Sequence, residues 1–214
     1  MKPGEKLPSE RELCELLGVS RTVVREAVRV LAVKGLLDVR RGGGTVVRAP
    51  DSALVSELVT IMLRSGTNAV AFTHLHEVRR LLEVEIAGLA AERRTPADIT
   101  LMEAQLQQME RHAADVELWA TADVAFHAVI AAATQNPVYG ILLGSIADML
   151  VEVRRAGARL PDTAQKAYRH HTAIYERIRA GDRIGARQAM QEHLRESEET
   201  FQQAWFVAAL SSPK

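Results

Sequence analysis

The chain has 214 residues, room for a small domain joined to a larger one. Hydrophobic residues make up 47% of it and aromatics only 4%, so Leu, Val, Ile and Ala must do most of the packing, which favours helices. A single cysteine, Cys14, excludes an internal disulfide and fits a reducing compartment; with no apolar run long enough to span a membrane and no signal peptide, a cytoplasmic protein is expected.

Net charge is zero but unevenly distributed. Residues 1–50 carry ten basic and six acidic side chains, so the remainder is acidic by the same margin. A basic first quarter suits a polyanion-binding module, although an excess of this size is also compatible with an ordinary solvated surface.

The first predicted element follows Ser9, which with Glu12 forms a capping box that satisfies two backbone donors at a helix start. Leu13, Leu16 and Leu17 share one apolar face, Cys14 among them reads as a buried thiol, and Gly18 ends the helix. A second helix begins after Ser20, a good N-cap, with Val19 and Val24 placed as a hydrophobic staple. Val24, Ala27, Val28 and Leu31 repeat at helical spacing and predict a buried stripe. Arg21, Thr22, Arg25 and Arg29 fall off that stripe, which leaves a cationic, hydroxylic N-terminal face of the kind a DNA-reading helix needs in the major groove.

Gly35 closes the second helix. Leu36–Val39 and Thr45–Val47 read as short strands around Arg40-Arg41-Gly42-Gly43-Gly44. The glycines let the hairpin bend, and the arginines beside them can approach a phosphate or a narrow minor groove. The run lacks the lysine and following helix of a P-loop, which argues against nucleotide binding.

The segment Pro3-Gly4-Glu5-Lys6-Leu7-Pro8-Ser9-Glu10-Arg11-Glu12-Leu13, then Gly18-Val19-Ser20-Arg21, Val24-Arg25-Glu26-Ala27 and Gly42-x-Gly44-Thr45-Val46-Val47, resembles the GntR family of bacterial regulators. The resemblance implies a winged helix-turn-helix over residues 1–49 in which Arg11, Ser20, Arg21, Thr22, Arg25, Arg41 and Gly42 contact DNA. Val23 stands where the family often has a hydroxyl. The family also places a helix ahead of the Pro3–Glu10 segment; that first helix is missing here, and the native protein is expected to extend upstream of Met1.

Ala49-Pro50-Asp51-Ser52 breaks the pattern and reads as a linker. Beyond it, helical periodicity runs through 53–65, 70–94, 96–113, 116–134, 137–158, 162–180 and 183–209. Thr95-Pro96 and Asn136-Pro137 each supply an N-cap and an N1 proline, and Gly181-Asp182 separates the last two helices. The expected architecture is mainly α: the winged module followed, over 53–210, by an antiparallel all-helical bundle of about six or seven helices with short connections.

Seven histidines carry the chemical interest. Asp123 and His127, four apart, share a helix face, and His171 and His193 lie on two later helices. Three imidazoles and a carboxylate converging in a bundle would suit a divalent transition metal; by spacing alone, a surface ion pair or a satisfied core histidine is the default reading. Glu77-Val78-Arg79-Arg80-Leu81-Leu82-Glu83 with Ala87 to Ala91, Asp123-x-x-x-His127, Asn136, His171-x-x-Ile174 and Ala186-x-x-x-Met190-x-x-His193-Leu194 resemble the FCD ligand-sensing domain of the FadR-type branch of the GntR family. That resemblance implies that Asp123, His127, His171 and His193 ligate zinc or nickel, and that a small organic acid is the effector. The motif register selects His171 over its neighbour His170, while His74, His76 and His112 match no motif and read as surface residues. Arg79 reads either as a second anchor for an effector carboxylate or as one half of a structural salt bridge.

Together these features predict a DNA-binding transcriptional regulator, a repressor relieved by its effector, working as a homodimer on a palindromic double-stranded operator. Two other classes use the same residues: a metal-dependent hydrolase, which lacks a nominated general base and leaves the N-terminal module unexplained, and a DNA-binding protein with a purely structural metal.

Overall fold

The computed structural model describes residues 1–40, 44–49, 55–56, 68–146, 150–151, 155, 160 and 162–211. The chain divides into two compact units, Met1–Val55 and Ser56–Lys214.

In the first unit, helix α1 (Glu10–Leu17) is opened by the Ser9/Glu12 box: Ser9 N–H donates to Glu12 Oε2 at 2.7 Å and Glu12 N–H donates to Ser9 Oγ at 3.3 Å. Gly18, at φ 66°, takes the left-handed C-cap that returns its N–H to Cys14 O. Helix α2 (Arg21–Val33) follows, its first turn capped by Ser20 Oγ, which accepts from Val23 N–H at 3.4 Å. Strands β1 (Leu37–Arg40) and β2 (Gly44–Val47) pair antiparallel, Leu37 opposite Val47 and Arg40 opposite Gly44. The segment before α1 also joins this sheet. Gly4 N–H donates to Val47 O and Leu7 N–H to Thr45 O, both at 2.8 Å, while Val47 N–H donates to Glu5 O at 2.9 Å. Its proline-rich sequence gave no strand signal, because edge pairing needs only alternate backbone groups.

The apolar stripes of this unit are less covered than the periodicity predicts. Val24 is buried at 3% exposure and Val28 is half-buried, but Ala27 and Leu31 are exposed. Leu16 and Leu17, at 74% and 62%, also face outward, and Cys14 is half-buried rather than buried. Two short helices and a hairpin can close over only one side of each helix, so periodicity marks the sticky face without guaranteeing a partner for it.

The second unit holds six described helices: α3 (Asn68–Arg93), α4 (Pro96–Arg111), α5 (Val116–Ala133), α6 (Pro137–Gly144), α7 (Thr163–Ala180) and α8 (Arg183–Ser211). The helix expected at 53–65 lies mostly outside the described residues. Thr95 caps α4 in a box with Asp98, and Pro96 takes the first turn, where its missing N–H costs nothing. Asn136 caps α6 through Val138 N–H at 3.1 Å, after Gln135 turns the chain at φ 57°. The single helix expected over 137–158 instead stops at Gly144. Gly140 and Gly144 weaken it, and Ser145 Oγ donates back to Leu142 O at 2.6 Å, competing with the ladder. Leu150, Val151 and Arg155 are again helical.

Helix α3 packs chiefly on α8, α5 on α4, and α7 on α8, around a core of Ile86, Met102, Met109, Trp119, Phe126, Ile130, Ile174, Ile178, Met190 and Leu194. Helix α5 has the length and hydropathy of a membrane span. Half of that window is buried in the bundle, as the apolar bulk of a central helix should be, and Asp123 and His127 sit within the buried part.

Candidate functional sites: a DNA-reading face and a buried histidine cluster

In the first unit, Arg11, Arg21, Thr22 and Arg25 are all exposed. Arg25 Nε lies 3.6 Å from Glu10 Oε1 and Arg11 Nε lies 3.9 Å from Glu15 Oε1. Pairs this exposed contribute little, so the guanidinium groups can exchange a carboxylate for a phosphate at small cost. Ser20 spends its hydroxyl on the α2 cap, which sets the start of the reading helix. Arg41 and Gly42 lie outside the described residues. At the turn end of the β1–β2 ladder stand Arg40, held 2.8 Å from Asp38, and Gly44 at φ 86°, where an added Cβ would run into the Lys6 side chain.

In the second unit the four sequence-selected residues converge. Trp119, Asp123 and His127 follow one another at four-residue steps and stack along the inner face of α5. His171 shares the buried face of α7 with Ile174 and Ile178; His193 sits between Met190 and Leu194 on α8. All four are buried. His127 Nε2 and His171 Nε2 are 3.2 Å apart, and His171 Nε2 lies 3.4 Å from Asp123 Oδ1. The His193 ring centroid is 4.4 Å from that of His171 and 5.2 Å from that of His127, so the three imidazoles bring one ligand atom each within 4.8 Å of one another. Two atoms about 2.1 Å from a shared ion, at a tetrahedral angle, lie about 3.4 Å apart. The cluster therefore has the spacing and the donor chemistry to hold a divalent transition ion.

What the sequence did not reveal is how these side chains are supported. Glu83, on α3, is buried with its Oε2 at 2.5 Å from His127 Nδ1 and its Oε1 at 2.5 Å from Arg79 Nε. A proton on His127 Nδ1 suits that contact and leaves the Nε2 lone pair toward His171. Burial alone would raise the Glu83 carboxyl, but the Arg79 guanidinium and the His127 imidazole outweigh it and hold the group well below the usual carboxylate range. Arg79 itself is fully buried and engaged with Glu83, the salt-bridge alternative of its two sequence readings.

His76 corrects an expectation. It is buried at 2% exposure, because it falls three residues before Arg79 and seven before Glu83, on the inner face of α3. Its Nε2 lies 3.5 Å from Ser197 Oγ. The four-residue spacing of Arg79 and Glu83 was a usable signal for a pair on one face, but nothing in the sequence said which side of α3 faced inward. His74 is exposed and His112 half-exposed, and His170 turns aside from the cluster to pair with Glu196.

A helix pair with a cationic face and a hairpin wing, on the same chain as a helical unit that buries imidazoles around a small polar centre, defines a DNA-binding regulator with a sensory domain. Residues 1–47 match the family described as bacterial regulatory proteins, gntR family, and residues 74–196 match the FCD domain. The chain is 36% identical over 199 residues to the HTH-type transcriptional regulator LutR of Bacillus subtilis (strain 168), covering 91% of this chain and 90% of LutR. It is 32% identical over 194 residues to the galactonate operon transcriptional repressor of Escherichia coli (strain K12), covering 87% and 83% respectively. Among solved structures, Streptococcus agalactiae GntR superposes with a TM-score of 0.73 at 31% identity, over 92% of this chain and 90% of that one. The chain belongs to the GntR family of bacterial transcriptional regulators, with an N-terminal DNA-binding domain and an FCD effector-binding domain; it is a regulator, not an enzyme.

Proposed function

We propose that the chain is a repressor whose operator binding is modulated by a small organic acid, bound at a zinc or nickel ion that Asp123, His127, His171 and His193 hold. The observation that carries this reading is the charge balance of the buried centre. Among the described residues, Arg79 offsets one of the two buried carboxylates, Glu83 and Asp123. A divalent ion would leave one positive charge over, and a single effector carboxylate would neutralise it. A bound ion would supply open coordination positions for that carboxylate. The pairing of Arg79 with Glu83 supports a structural role for this arginine rather than a direct effector contact.

Arg11, Ser20, Arg21, Thr22, Arg25, Arg41 and Gly42 are assigned to the operator, with α2 in the major groove and the hairpin at the flanking backbone. A homodimer on a palindromic operator follows from the need to place two such helices on one duplex. Relatives named as repressors support the sign, and the reading places the protein in the cytoplasm with its DNA.

Chelation tests the sensing role. If the ion senses, metal-free protein keeps its helical circular dichroism and loses acid binding, and zinc or nickel restores it. A purely structural ion would instead leave unfolded protein on chelation, and that result would reject the sensing assignment.

A further inference from the structure

The segment ahead of α1 runs beside β2 as a third strand of the wing. Gly4 N–H donates to Val47 O and Leu7 N–H to Thr45 O, and an antiparallel bridge joins Lys6 to Val46. Passing from Gly4 to Leu7 therefore leads along β2 toward Gly44, which stands opposite Arg40 at the turn end of the β1–β2 ladder. The Lys6 side chain reaches on in the same direction. A Cβ added to Gly44 would run into Lys6 Cε and stand 3.1 Å from Nζ, so the lysine stem crosses bare glycine backbone and its ammonium lies at the turn end of the wing. Lys6 is exposed, and it makes no ion pair among the described residues. The nearby carboxylates are engaged elsewhere. Glu10 and Glu12 line the same groove as Lys6, but Glu10 pairs with Arg25 and Glu12 serves the Ser9 cap. Asp38 is held by Arg40, and Glu5 accepts from Lys2 N–H at 2.8 Å.

We propose that Lys6 is a phosphate contact in the operator complex, a cation that the third strand adds to the wing. This rests on the operator reading above, in which the hairpin lies at the flanking backbone of the duplex. A lysine is a compact charge on a flexible stem, which suits a phosphate oxygen. Edge strands also carry lysines merely to discourage pairing with another chain. That role needs no particular direction for the ammonium, whereas this stem is laid along the strand and over a position that has no side chain. A phosphate contact carries no sequence information and releases condensed counterions, so its loss depends on salt and is indifferent to base sequence.

The test uses the intact chain and two duplexes, one selected in vitro by the wild-type protein and one of scrambled sequence, with fluorescence anisotropy at a series of salt concentrations. Lys6→Met, which keeps the stem and drops the charge, should lower affinity for both duplexes by the same factor. It should reduce the slope of log affinity against log salt by about 0.9, so that the wild-type advantage shrinks about 3.5-fold between ~50 and ~200 mM salt. Lys6→Arg should restore both affinity and slope. Single methylphosphonate substitutions, which neutralise one phosphate at a time, should find a position in the selected duplex that costs the wild type affinity and costs Lys6→Met nothing. An unchanged slope for Lys6→Met, or a loss confined to the selected duplex, would overturn the phosphate assignment; if Arg21→Ala still weakens binding, the operator reading stands without it. If the chain selects no duplex, or neither variant alters binding, both fall.

Discussion

Glu83 Oε2 lies 2.5 Å from His127 Nδ1, on the opposite edge of the imidazole from the nitrogen that faces His171. One carboxylate on α3 thus lies against the imidazole of a side chain on α5, and Arg79 holds that carboxylate from one turn away. The site is built in two layers, and the outer layer comes from a helix that contributes no candidate ligand.

Replacing Glu83 by Gln should weaken metal binding by about 10- to 100-fold, because the amide keeps the shape but loses the charge that orients and enriches the His127 ring. Competition for zinc against a chromophoric chelator measures this. An unchanged affinity would remove Glu83 from the site's support.

His171→Ala should abolish most of the bound metal, whereas His170→Ala should leave it in place, since His170 pairs with Glu196 while His171 lies against His127 and Asp123. Elemental analysis of the two purified variants decides, and equal metal contents would reject the choice of His171.

Arg79→Ala strands a buried carboxylate and should cost about 3–5 kcal/mol of stability at pH 7, read from urea unfolding. The sign with pH follows from the depressed Glu83 carboxyl. Its contribution is full above the unfolded value of about 4.3 and is lost as pH falls through the lower folded value, so the gap between wild type and variant should persist at neutral pH and narrow only in acid.

Arg21→Ala and Arg25→Ala should each weaken binding to a duplex selected in vitro by the wild-type protein. Each phosphate contact removed should also reduce the salt dependence of affinity by about one unit of slope. Both side chains are exposed, so the melting temperature should move little. Unchanged affinity by fluorescence anisotropy would remove α2 from the interface.

The sequence by itself determined what is local. The Ser9/Glu12 and Thr95/Asp98 boxes, the Gly18 stop, the Ser20 and Asn136 caps and the four-residue step from Asp123 to His127 depend on neighbours a turn or less away, and each is where the pattern put it. Motif order selected the four residues of the cluster across three helices. Only the tertiary structure decided what each face meets. Periodicity names an apolar face without supplying its cover, which is why Leu16 and Leu31 stand exposed while His76 is buried. It is also silent on distance between helices, so the Glu83–His127 contact became visible only once α3 and α5 were packed together. The winged module, and the four residues that converge on the buried cluster, were legible because their motifs resemble those of a known family. The contact of Glu83 with His127 was not, because it is written in the packing of helices far apart in the chain.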